Sequence, residues 1–206
     1  MSVQASLTAA GPALRRHTLA LVVAWSLALL GTAGLLFAFA DRPVVGSFSR
    51  LGLSESFERG FSTWSEINDA SVERTLEQAR TGRASARVEA TEVGRYGLYQ
   101  LETIVRPVPG DRYTFSAWVK AAPSAVGDRV EVEILEQSTR SEVHHVVANA
   151  SRVLEQRWRK ISVTGTVSAN GDDHLDVYLS VERARSPGET IYVDDVSLVR
   201  VPREES

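Results

Sequence analysis

A period-two alternation that recurs along the chain is its most constraining feature. Ala84, Ala86, Val88 and Ala90 alternate with Ser85, Arg87 and Glu89, and Tyr113, Phe115, Ala117 and Val119 with Thr114, Ser116 and Trp118. Val130, Val132 and Ile134 then alternate with Glu131 and Glu133, and Leu175, Val177, Leu179 and Val181 with Asp176, Tyr178 and Ser180. A strand turns successive side chains to opposite faces, so each run has one apolar and one polar face. Turn signals punctuate these runs at Thr81-Gly82, Pro109-Gly110-Asp111, Gly127-Asp128, Asn170-Gly171-Asp172-Asp173 and Ser186-Pro187-Gly188. Short half-buried strands joined by such turns predict an all-β fold, an antiparallel β-sandwich or jelly roll. Residues 73–80 also accept a helical reading, but strand plus turn is preferred there.

The first forty residues obey a different solvent. Residues 18–40 carry no charge, and at about 1.5 Å per residue they reach roughly 34 Å, enough to cross a hydrocarbon core. Arg15 and Arg16 precede the segment with no acid upstream. The positive-inside bias then keeps residues 1–17 cytoplasmic and places the rest outside the cell. The fold is thus expected to come after one N-terminal transmembrane or signal helix. Single-pass attachment to the cell membrane is preferred, and the small-x-small pattern Ala38-Phe39-Ala40 allows secretion after cleavage near Ala40.

Residues 41–206 divide into a linker (41–52), one domain (53–200) and a polar tail (201–206). Two of the 23 basic residues and none of the 26 acidic ones precede the apolar segment, leaving residues 41–206 with a net charge of −5. That balance excludes nucleic acid as a natural partner. The absence of cysteine excludes a disulfide scaffold, a thiolate zinc site and a cysteine nucleophile.

Five segments occur in an order that resembles the CenC-type carbohydrate-binding modules, which have a galactose-binding-like jelly roll. They are Glu55-Ser56-Phe57-Glu58-Arg59-Gly60 with Trp64, Gly82-Arg83-Ala84-Ser85-Ala86-Arg87-Val88, and Pro109-Gly110-Asp111-Arg112-Tyr113-Thr114-Phe115-Ser116-Ala117-Trp118-Val119. Trp158-Arg159-Lys160-Ile161-Ser162 and Tyr192-Val193-Asp194-Asp195-Val196-Ser197-Leu198 complete the series. The resemblance implies a jelly-roll sandwich that binds a glycan or polysaccharide without catalysis, often with a structural calcium. The rival expectation is an ectodomain that keeps the fold, has lost sugar binding and docks an envelope protein.

Sugar binding needs flat aromatic faces beside polar side chains that hydrogen-bond paired hydroxyls. Strand phase puts Tyr178 on the polar face with Glu182, and it puts Trp118 on the polar face of its own strand. The run Gly94-Arg95-Tyr96-Gly97-Leu98-Tyr99-Gln100 contributes Arg95, Tyr96, Tyr99 and Gln100 as a cleft edge, while Trp64 and Trp158 read as core. For calcium the expected oxygen ligands are Glu58, Asp194 and Asp195, with Tyr192, Val196 and Leu198 in phase with Asp194. The acid-rich Glu131-Val132-Glu133-Ile134-Leu135-Glu136 offers the one catalytic foothold, but Glu136 falls out of phase with the other two carboxylates.

Overall fold

The structure is a computed structural model and describes residues 52–60, 63–68, 70–138, 144–168 and 174–202. The membrane or signal segment, the cleavage site at Ala40 and the turn acids Asp172 and Asp173 lie outside the described residues. Among the described residues no helix is long and apolar enough to cross a membrane.

Among the described residues, eleven strands form two antiparallel sheets. They are β1 (Gly52–Glu55), β2 (Ser65–Ile67), β3 (Ser71–Thr75), β4 (Ser85–Glu89), β5 (Gly94–Val105), β6 (Arg112–Ala121), β7 (Arg129–Gln137), β8 (His144–Val153), β9 (Arg159–Thr166), β10 (His174–Ala184) and β11 (Thr190–Val201). One sheet runs β3-β4-β11-β6-β9 with β1 also on β11, and the other runs β2-β5-β10-β7-β8. Each sheet thus mixes strands distant in sequence, as jelly-roll connections require.

The alternation accounts for the core. Ala86 and Val88 of β4, Phe115 and Ala117 of β6, Val130, Val132 and Ile134 of β7, and Leu175, Val177, Leu179 and Val181 of β10 are all buried in one cluster. Residues 73–80 leave β3 for a turn, not a helix. Trp64 is buried as expected, whereas Trp158 is only half-buried.

The last strand departs from simple alternation. Val193 pairs with Val119 and Asp194 with Trp118, but the next partners are Ser197 and Ser116. β11 thus gains one residue over β6, a β-bulge that flips the side-chain phase. Asp195 carries the kink at φ +45°. Val196 and Leu198 consequently point into the core on the face of Val193, correcting the expectation that they share a phase with Asp194.

At this bulge β11 also changes neighbours. Its residues 190–193 pair with β4, and its residues 196–199 pair with β1. The β3–β4 loop closes over the interval and buries Asp194 completely.

Candidate functional site

The outer face of the β2-β5-β10-β7-β8 sheet gathers most of the predicted binding residues. Tyr178 pairs in register with Tyr99, flanked by core residues Val177, Leu179 and Leu98. Both tyrosines therefore point outward. Their rings lie parallel, with centroids 5.3 Å apart and planes 11° apart. Each ring thus packs one face toward the other. A groove of about 430 Å³ opens over the pair, lined among others by Glu66, Asn68, Leu101 and Gln137.

Polar groups frame the aromatic pair. Arg95 donates from Nε to Ser180 Oγ at 2.9 Å and from Nη2 to Glu133 at 3.2 Å. Glu131 lies two residues from Glu133 on the same face and accepts from Asn149 Nδ2 at 3.0 Å. Burial, then the adjacent Glu133 carboxylate, raises the Glu131 pKa. The Tyr178 phenol is likewise raised, by burial first and the charge of Asp176 next. Glu182 is exposed and pairs with Arg129 at 3.6 Å.

Close backbone approach supports the site. An ideal Cβ on Gly97 would lie 2.2 Å from the Leu179 carbonyl oxygen and 2.7 Å from Ser180 Cα. Only glycine lets β5 approach β10 this closely, and Tyr99 stands two residues further along the same face. Beyond the tyrosines, buried Asp176 accepts from the Glu102 N–H at 2.7 Å. That bond holds a second bulge, where Glu102 sits at φ +48° and β5 slips against β10.

Three predicted contacts do not belong here. Tyr96 is 1 % exposed, because its odd spacing from Tyr99 sends it into the core opposite Val181. Gln100 pairs with Val177 and shares its core-directed phase, with its carbonyl oxygen buried. Trp118 belongs to the other sheet, paired with Asp194 and Lys160. The Arg80 guanidinium caps its ring at 3.7 Å from the centroid, a cation–π contact that takes up the face a sugar would use. The structure therefore brings together Arg95, Tyr99 and Tyr178, with Glu182 farther along the same face.

Sequence reasoning missed Glu66, Asn68, Leu101 and Gln137. Glu66, Asn68 and Leu101 reach the groove through the pairing of β2 with β5 and the bulge before Thr103, neither of which alternation discloses, whereas Gln137 ends β7 in outward phase with Glu131 and Glu133. Asn68 alone carried a signal: it is a turn residue at φ +52°, and its amide donates to the Arg95 carbonyl at 2.9 Å. Glu136 is fully buried on the core side of β7. Glu131, Glu133 and Glu136 thus do not converge as a catalytic set.

The three carboxylates expected to hold calcium all accept hydrogen bonds from the β3–β4 loop. Asp194 Oδ2 accepts from the Arg80 and Thr81 N–H groups at 2.8 and 3.2 Å, and its Oδ1 accepts from the Asp195 N–H at 2.7 Å. Asp195 binds Arg80 Nη1 at 2.5 Å and Thr81 Oγ1 at 2.7 Å. Glu58 Oε1 accepts from the Arg83 and Ala84 N–H groups at 2.7 and 2.8 Å, and these donors lower its pKa. Gly82, at φ +63°, lets that oxygen enter the loop, since a Cβ there would meet it at 2.3 Å. A bound calcium requires carboxylate lone pairs turned toward it. N–H, hydroxyl and guanidinium donors of the β3–β4 loop, together with the Asp195 N–H, occupy Glu58 Oε1 and the oxygens of Asp194 and Asp195. Among the described residues no three His, Cys, Asp or Glu side chains form a metal-binding group.

Comparison with known proteins agrees with this architecture. A family described as carbohydrate binding domain matches residues 49–187. The fold is similar to the CBM22-1 xylan-binding domain from Paenibacillus barcinonensis Xyn10C, with a TM-score of 0.60, 21% identity and coverage of 74% of this chain and 95% of that one. It is also similar to a xylan-binding domain from CBM 22, with a TM-score of 0.57, 16% identity and coverage of 74% and 96%. The CBM22-1-GH10 modules of a Clostridium thermocellum endo-1,4-beta-D-xylanase, complexed with xylohexaose, match with a TM-score of 0.59, 17% identity and coverage of 73% and 28%. No curated protein matches the sequence.

Proposed function

The chain belongs to the carbohydrate binding domain family, and on that premise we propose that it binds a β-linked, xylan-like polysaccharide noncovalently on the outer face of the β2-β5-β10-β7-β8 sheet. The observation that carries the reading is the stacked Tyr99–Tyr178 pair at the floor of an open groove. The stacked phenol rings supply apolar aromatic surface against which pyranose C–H groups can pack. Arg95, Glu133, Asn68 and Gln137 bring polar groups to the surroundings of the pair, from which sugar hydroxyls can be hydrogen-bonded. An open groove suits a chain that enters and leaves at both ends, as a polysaccharide does. The similarity to xylan-binding domains supports xylan as the first ligand to try.

The module has no catalytic part in this reading. Glu136 faces the core, and Glu131 and Glu133 are committed to Asn149 and Arg95. The uncharged residues 18–40 would hold the module at the outer surface of the cell membrane, or direct its export if cleavage occurs near Ala40.

Depletion from solution by insoluble xylan, cellulose and mannan tests the proposal, with the full chain beside Tyr99→Ala and Tyr178→Ala variants. Xylan is expected to deplete the parent protein, and each variant should bind at least about tenfold more weakly, roughly 1.4 kcal/mol. Equal binding by parent and both variants would remove the site from the account. No depletion by any of the three polysaccharides would remove the glycan.

A further inference from the structure

The sheet opposite the groove carries a second, smaller pocket. Lys120 of β6 and Tyr192 of β11 stand in register there and point outward, since Val119, Ala121, Ile191 and Val193 take the core. A hollow of about 200 Å³ opens over them, lined also by Gln78, Gln156 and the chain at 121–123. Lys120 meets no carboxylate among the described residues. Its ammonium donates to Gln78 Oε1 at 2.6 Å, which leaves two of its N–H groups for other acceptors. The Ala121 N–H donates to the Glu155 carbonyl at 2.8 Å and so seats residues 155 and 156 beside the pocket. The Glu155 carboxylate is shared by three arginines, Arg157 at 2.7 Å, Arg159 at 3.0 Å and Arg152 at 3.8 Å, and none of them pairs with another acid among the described residues. With Glu77, which accepts from Tyr192 Oη at 3.4 Å, four cations stand against two carboxylates around the pocket. Positive charge is thus concentrated at one place in a domain whose net charge is −5.

We propose that this pocket is a second binding site, which takes a hexuronic acid unit of an acidic polysaccharide through Lys120. A sugar carboxylate placed there exchanges water on the ammonium for charge-assisted hydrogen bonds. The side-chain amides of Gln78 and Gln156 can donate to its second oxygen and to neighbouring hydroxyls. Tyr192 adds aromatic surface for the C–H groups of the ring. The hollow has the volume of about seven waters, so it holds one sugar unit and leaves the flanking uronates to the arginines around Glu155. Membership of the carbohydrate binding domain family makes a sugar the carrier of the charge. The site is independent of the Tyr99–Tyr178 groove, with which it shares no lining residue.

The test titrates the full chain calorimetrically with a tetramer of galacturonic acid, and with the same tetramer after reduction of its carboxyl groups to neutral hexoses. The charged tetramer is expected to bind at least about tenfold more tightly at low ionic strength, and to lose most of that advantage at about 0.5 M salt, where the Debye length falls to a few ångströms. Lys120→Met should weaken it about tenfold. Arg157→Gln, at a side chain 69% exposed, should weaken it severalfold and decides the matter if the first variant does not fold. Tyr99→Ala should leave uronate binding unchanged, and Lys120→Met should leave depletion by xylan unchanged, so the two sites fail separately. Equal affinity for the two tetramers, affinity indifferent to salt and to both substitutions, or no binding of either tetramer would overturn the proposal. So would attachment to phosphatidylserine vesicles that weakens in Lys120→Met while the tetramer stays unbound, since the cations would then serve a lipid headgroup.

Discussion

Replacing Asp194 with alanine removes a fully buried acceptor of three backbone hydrogen bonds, from Arg80, Thr81 and Asp195. Hydrogen bonds to a charged group contribute about 1.5–3 kcal/mol each, which sets an upper limit near 9 kcal/mol for three. Two effects lower that figure. Arg80 and Thr81 are exposed loop residues, so their amides regain water once the acceptor is gone. The substitution also removes a buried charge whose desolvation is large enough to raise the Asp194 pKa despite those donors. A loss of about 3–4 kcal/mol remains. At roughly 2–4 °C per kcal/mol for a domain of this size, the melting temperature should fall by about 6–16 °C. Asp194→Asn keeps an oxygen for the two loop amides but turns an NH2 group toward the Asp195 N–H, and should cost about half as much. Thermal unfolding followed by circular dichroism, with and without EDTA, measures both. If the carboxylate acts through N–H donors, the drop is the same in chelator and buffer. A fall below about 3 °C for Asp194→Ala would refute this reasoning. So would a chelator that lowers the parent protein to the level of the variant, since that would put a calcium ion where the loop amides are.

Gly97→Ala places a methyl against the Leu179 carbonyl and Ser180 Cα, so it should destabilise by about 1–3 kcal/mol in chemical denaturation and weaken xylan binding by separating Tyr99 from Tyr178. An alanine variant with unchanged stability would contradict the close approach of β5 to β10. Asp128 and Glu189 form a buried acid pair beside Arg185, and burial first, then Glu189, raises the Asp128 pKa. A raised carboxylate pKa means that the folded state holds its proton more tightly, so this group adds stability as the pH falls through the raised value and levels off below the unfolded one. Asp128→Asn supplies a permanent donor to Glu189, and should raise the melting temperature near neutral pH by a few degrees while flattening this part of the pH dependence. A variant that melts lower than the parent across the whole pH range would show that the pair is not limited by its charge.

The sequence disclosed the layers of this fold because a half-buried strand leaves a two-residue signature, and residues 175, 177, 179 and 181 take the core as that signature requires. It disclosed Tyr178 for the same reason. It could not show that Tyr99 would stand against Tyr178, because register between β5 and β10 is set by packing and by the slip at Asp176, not by local pattern. Tyr96 looked as good a ligand as Tyr99 until parity was applied from a strand whose start was unknown. The acid pair Asp194-Asp195 was conspicuous in sequence, yet the bulge that separates the two carboxylates leaves no mark in composition. Arg80 over Trp118 joins residues 38 positions apart in sequence, and such a contact becomes visible only once the β3–β4 loop is seen to fold over the sheet.

The central claim is that the Tyr99–Tyr178 face takes the glycan, and amide chemical-shift mapping of the isotope-labelled chain titrated with unsubstituted xylohexaose tests it most directly. Saturable shifts are expected at Arg95, Tyr99, Glu133, Tyr178 and Ser180, all on β5, β7 and β10. Shifts confined to Trp118, Lys120 and Tyr192 on the opposite sheet, or none at any concentration, would contradict it.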